Sequence, residues 1–382
     1  MAARPDFSLA NKLALISGLG QRGKSFGVAL VGVEDMLLLV ASLLGTQGED
    51  TAILGKWLGI WVDDKRQRVN MLDRHLALLK DRLQSHTQRI TANHSCLIKT
   101  AFFSHVELKP AFTQRHKDLT MLHRTDNKAI ATFFQGPLDH PEMVDEERMD
   151  QAQIIIVCAA HFHLGWATQW QELPIKARFG KVSAAKYPYF CTDAANVPCL
   201  QHRESGWGCD AVFLSHSDGT KMTAFLTPVG GTTVDELLQR DRLMVVAKAL
   251  FGGAKSGNTR VVLPGFQIDH KVDAKQLLPK SEFMGAAFFN TEHSYLGRHE
   301  PPCMLSHMEL HTTFLFEPTG TIANTACDNP DVLMFENPFV VLTVHVQQTA
   351  AGESVNPPNM HILFAGKVEA DALDRFLDPS IV

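Results

Sequence analysis

The chain has 382 residues, 45% of them apolar and 20% charged, with 36 Lys and Arg against 41 Asp and Glu. That length and composition fit one large soluble fold with a sizeable core, and the formal net charge of −5 gives no electrostatic case for nucleic acid as the main partner. The seven cysteines (Cys96, Cys158, Cys191, Cys199, Cys209, Cys303, Cys327) are odd in number and follow no repeated spacing, so a disulfide framework is a poor reading.

In chain order, Met1 to Asp6 lacks the basic, apolar and small-residue parts of a signal peptide. The expectation is a cytoplasmic, reducing setting, with unconventional secretion left open. Asp6 is placed to cap a helix that stops at Gly18. Met36 to Leu44, bracketed by Asp35 and Gly45, is far shorter than the ~20 residues of a spanning helix and reads as a buried core helix. Val69, Leu72, Leu76, Leu79 and Leu83 recur at helical spacing, with Arg68, Asp73, Arg74, Lys80, Asp81 and Arg82 on the polar side. The sequon Asn93-His94-Ser95 means little without a secretory signal.

From about residue 96 the pattern turns to strands. Gln153 to Ala160 is a β-branched apolar run, consistent with a strand buried on both faces. Asp210–Leu214, Met222–Leu226, Arg260–Leu263, Val340–Val346 and Met360–Phe364 read as further strands, with a helical pattern at Val234–Leu238. Helices first and then mainly strands argue an α+β fold with large, mostly antiparallel sheets. The break at Gln135 to Pro141 is not followed by linker-like composition, so residues 1–382 read as a single domain.

Five motifs follow in one fixed order: Val261 to Asp269, Phe283 to Phe288, Glu317 to Thr321, Asn337-Pro338-Phe339 and Leu363 to Val368. Leu44 to Gly48, Cys96 to Phe103, Phe162 to Trp166 and Phe225 to Pro228 extend the pattern over most of the chain. This order resembles the serpin superfamily. The resemblance implies a protein with no catalytic residues, no cofactor and no metal, acting as a monomer on a protein partner that could be a protease. It also implies an exposed reactive loop over residues 317–336, whose N-terminal part inserts into the main sheet after cleavage in inhibitory members. Glu317, Gly320, Thr321, Ala323 and Ala326 correspond to its hinge, and Cys327, Asp328, Leu333 and Met334 to the region of the cut. Trp166 matches a family tryptophan at the top of the main sheet. Pro338-Phe339 is read as structural, its ring buried in a strand pair.

This chain departs from the family's pattern at mechanistic positions. Pro318 stands beside the hinge and Asn324 inside it. An inserted strand needs ~12 residues at ~3.3 Å each; counted from Thr321 it ends near Leu333, almost against Asn337. Where the family usually carries a Ser-Pro, a second serine and an asparagine at the sheet-opening point, this chain has Val31, Gly32, Glu34 and Cys158. A polar network of that kind works only when complete. The expected role is therefore a non-inhibitory binding or immune-modulatory protein, of the kind a virus could use. The alternative is an active inhibitor of a serine or cysteine protease.

Other constellations read as bland. Asp73 and Asp81 dilute the polyanion-binding potential of Arg68, Arg74, Lys80 and Arg82. Cys191, Cys199, His202 and Cys209 lack a Cys-x-x-Cys knuckle for zinc. His161 and His163 share a strand face by period two, with no third ligand evident in the sequence.

Overall fold

A computed structural model describes residues 9–17, 23–44, 49–58, 66–67, 70, 95–104, 106, 110, 121–123, 152–180, 185–201, 208–251, 255–278, 287–289, 295–296, 303–322, 330–346 and 360–378. The Arg68–Arg82 face and the hinge and loop residues Ala323, Ala326, Cys327 and Asp328 lie outside them, as does His202.

In chain order the elements begin α1 (Leu9–Ser17), β1 (Phe26–Ala29), α2 (Leu30–Leu44), α3 (Glu49–Trp57), β2 (Ser95–Ser104), β3 (Met121–His123), β4 (Ile154–His163) and β5 (Trp166–Thr168). Next come β6 (Gln171–Glu172), β7 (Ala177–Arg178), β8 (Lys186–Tyr187), β9 (Tyr189–Leu200), β10 (Cys209–Ser215), β11 (Lys221–Pro228), α4 (Val234–Leu237) and α5 (Arg240–Phe251). Then follow β12 (Lys255–Pro264), β13 (Gln267–Asp273), α6 (Ala274–Leu277), β14 (Tyr295–Leu296), β15 (Cys303–Leu315), β16 (Gly320–Ile322), β17 (Asp331–Met334), β18 (Phe339–Val346), β19 (Met360–Val368) and α7 (Ala370–Leu377). The strands expected at 210–214, 222–226, 260–263, 340–346 and 360–364 fall within β10, β11, β12, β18 and β19. α4 starts as its sequence implies: Thr233 and Glu236 cap each other's backbone N–H in a reciprocal box.

The chain falls into two compact units. The first comprises residues 1–18, 31–161 and 271–312. Its helix α2 is apolar nearly all round, and Val33, Met36, Leu37, Leu38, Leu39 and Val40 are all buried, as a core helix requires. Ile154 through Ala160 of β4 are buried without alternation, the pattern of a strand covered on both faces. The sheet to which β4 belongs runs β13-β15-β4-β2-β3, with β14 on β15. β4 and β15 are direct neighbours, with no strand between them.

The second unit comprises residues 19–30, 162–270 and 313–382. Its large sheet runs β1-β19-β18-β11-β10-β9-β12-β17, with β6 also on β9. Its strand pairs are antiparallel except β12 with β17, at the edge. Phe266 stacks between Phe314 and Phe316 at 5.8 and 5.5 Å and meets Phe339 edge-on at 5.5 Å. Burial of each such ring contributes about 2–3 kcal/mol, which accounts for the Gly265-Phe266 and Pro338-Phe339 motifs as core. A β-carbon at Gly265 would stand 2.3 Å from the Phe376 ring and force that ring to shift.

Candidate functional site

The site is built on β5, β16 and the residues before each of them, all within the second unit. β4 ends at His163, and Leu164-Gly165 then lead into β5. β15 ends at Leu315, and Glu317 to Thr319 lead into β16. The two short strands pair in parallel, Gly320 with Trp166 and Ile322 with Thr168.

Three contacts hold residues 317–320 there. The Trp166 N–H donates to the Thr319 carbonyl at 3.2 Å. His163 Nε2 meets the Glu317 carboxylate side chain to side chain. Gly320 lies so near Thr168 that no β-carbon fits between them. Residues 319–322 therefore run along β5, beyond the end of β4.

Beneath this pair lies a buried aromatic cluster. Trp166 is 1% exposed, and its ring centroid is 4.5 Å from His216, 5.6 Å from Trp170 and 5.7 Å from both Phe225 and Phe316. His216 anchors it. Nδ1 lies 3.2 Å from the Gly165 carbonyl, which can only accept, so Nδ1 carries the proton. Nε2 then accepts from the Thr223 hydroxyl at 2.7 Å, and Thr223 Oγ1 accepts in turn from Thr343 at 3.0 Å. Burial pushes the His216 pKa down to about 4, so the ring is neutral at physiological pH. Nothing in the sequence marked His216, a lone histidine just before a Ser-Asp-Gly turn.

The far end of the loop is also taken up in a sheet. β17 pairs in parallel with β12, from Thr259 opposite Asp331 to Val262 opposite Met334. Phe335 donates its N–H to the Val262 carbonyl at 3.0 Å, and its ring is buried 5.2 Å from Phe339. Gln201 Nε2 donates to Asp331 at 2.8 Å. Leu333 and Met334, read from the sequence as cleavage-region residues, are thus strand residues. The segment between β16 and β17 is residues 323–330.

Of the residues expected where the sheet opens, Val31, Glu34 and Cys158 belong to the first unit and Trp166 to the second. Val31, Glu34 and Cys158 are all buried. Burial, with the nearby Asp35, pushes the Cys158 thiol up to about 12. It packs as a small neutral side chain. Cys191 and Cys199 sit on β9 and Cys209 begins β10. Among the described residues, no group of three or more His, Cys, Asp or Glu side chains is arranged to hold a metal.

The chain has the serpin fold. It is similar to uncleaved ovalbumin, with a TM-score of 0.73 at 12% identity over 95% of this chain and 99% of that one. SRPN18 from Anopheles gambiae matches with a TM-score of 0.70 at 13% identity, covering 95% and 98%. A serpin from Schistosoma haematobium matches with a TM-score of 0.71 at 14% identity, covering 94% and 98%. No family model and no curated protein matches the sequence.

Proposed function

We propose that this protein is a non-inhibitory serpin-fold protein, a rigid scaffold that binds a protein partner without trapping a protease and without catalysis. The observation that carries this reading is the length of chain between its two anchored ends. Only residues 323–330 separate β16 from β17. A cut after Cys327 would leave seven residues beyond Gly320, about 23 Å of extended strand. Beside it β15 has thirteen residues and β4 ten, so the cleaved segment would fall well short of its neighbours. Going beyond Pro330, and so beyond ten residues after Gly320, requires residues that β17 contributes to the edge of the large sheet. Burial of Val31, Glu34 and Cys158 supports the same reading, since none offers the hydroxyl and amide partners that the family uses where the sheet opens.

The test is limited proteolysis with serine and cysteine proteases, followed by melts of intact and nicked protein. A nick within residues 323–330 that leaves the melting temperature unchanged, with no SDS-stable protease complex, is the expected result. A nick that raises the melt by tens of degrees, or a covalent complex with any of the proteases, would establish the inhibitor instead.

A further inference from the structure

Two histidines face each other at the end of the β18–β19 pair, opposite the end that β1 covers. A bulge between Thr343 and Val344 shifts the register so that His345 stands directly opposite His361. Without that shift His361 would oppose Val346, and the two imidazoles would project to opposite faces of the sheet. Directly opposed residues in an antiparallel pair hold their Cβ atoms about 4.5–5.5 Å apart on one face. Both histidines are half-buried, so water reaches them.

The charges around this rung suit a cation. Lys221 on β11 is the next residue across from His345, but its ammonium is engaged by Asp218 in the turn before it. Asp218 is fixed in that position, accepting from the backbone N–H of Thr220 at 2.9 Å and of Lys221 at 3.1 Å. On the other side, β1 pairs with β19 only from Phe364 to Lys367, leaving His361 clear of it.

We propose that His345 and His361 form a two-imidazole chelate for a divalent transition ion, Cu2+ or Ni2+ ahead of Zn2+, with water completing the shell. Neutral imidazole suits these ions, and each histidine would bind through one ring nitrogen. No third His, Cys, Asp or Glu completes a group with them among the described residues. The site is therefore open-sided and exchangeable, unlike a closed structural centre. Bound metal clips the end of β18 to β19.

The test is titration of the metal-free full chain with CuCl2, read by calorimetry and by electron paramagnetic resonance, against His345→Gln, His361→Gln and the double variant. The expected result is one high-affinity ion per chain, hyperfine coupling to two imidazole nitrogens, and at least tenfold weaker binding in each single variant. Metal should also raise the melt of the native chain and not that of the double variant. Binding as tight in the double variant as in the native chain would overturn the assignment. So would a spectrum of the native protein showing fewer than two imidazole nitrogens, a readout independent of whether the variants fold.

Discussion

A β-carbon on Gly320 would stand 2.1 Å from the carbonyl oxygen of Thr168, so this glycine is dictated by contact with the neighbouring strand. Its φ lies outside the left-handed region, and backbone strain has no part in the choice. Gly320→Ala should force β16 away from β5. Overpacking of this kind costs about 1–3 kcal/mol. The variant should melt lower and be cut faster near residues 317–322. An unchanged melt with an unchanged cleavage pattern would mean that the β16–β5 pair is dispensable.

His216 makes stability depend on pH. Its folded pKa is lowered from 6.5 to about 4, first by burial. Between those values the unfolded chain takes up a proton that the folded chain refuses. Stability is therefore full above the unfolded pKa of 6.5 and falls as pH drops toward 4. The shift corresponds to about 3 kcal/mol. Urea denaturation at pH 7.5 and at pH 4.5 should show part of that loss, and His216→Gln should flatten the difference. A difference of the same size in the variant would assign the pH dependence to other groups.

Much of the scaffold was legible because burial writes itself into sequence. The unalternating β-branched run at Gln153 to Ala160 is consistent with a strand covered on both faces, and Val340 to Val346 and Met360 to Phe364 carry a similar apolar strand signal. Glu317, Gly320 and Thr321 stood out in the sequence as an expected hinge, but the residues they meet did not. His163 looked like half of an unsupported histidine pair with His161, because sequence spacing reports a shared strand face and says nothing of Glu317 brought in by another segment. Asp331 to Met334 read as loop because four residues carry too little periodicity to reveal a strand, and its parallel partner β12 lies some seventy residues earlier. The bulge that aligns His345 with His361 likewise depends on the register of two strands rather than on either one.

The cysteines should divide by reactivity. Burial pushes the thiols of Cys158 and Cys209 up to about 12 and that of Cys303 up to about 11. A thiol so far above ambient pH supplies almost no thiolate, the reactive form. Cys96, Cys191 and Cys199 are only half-buried. Brief alkylation of the native protein at pH 8, mapped by mass spectrometry, should label Cys96, Cys191 and Cys199 ahead of Cys158, Cys209 and Cys303, which should react once urea is added. Rapid native labelling of Cys158 would show that the first unit opens at that strand more readily than its burial implies.

Lys367 is a buried cation whose removal should matter more than its position near the C-terminus suggests. Its side chain is 0% exposed and lies 2.9 Å from Asp235 and 3.2 Å from Glu369, whose own side chains are 38% and 15% exposed. The exposed member loses little when the pair is broken, because water screens it. Glu369 has no such relief: burial already raises its pKa, and Lys367 is the group that counters the effect. Lys367→Met should therefore cost about 3–5 kcal/mol, the usual penalty for stranding a buried charge. Adding Glu369→Gln should recover much of the loss, because the stranded charge is then gone. Equilibrium urea denaturation of the native chain, both single variants and the double variant measures this coupling directly. If the double variant is no more stable than Lys367→Met alone, the lysine acts through packing of its stem and not through its charge.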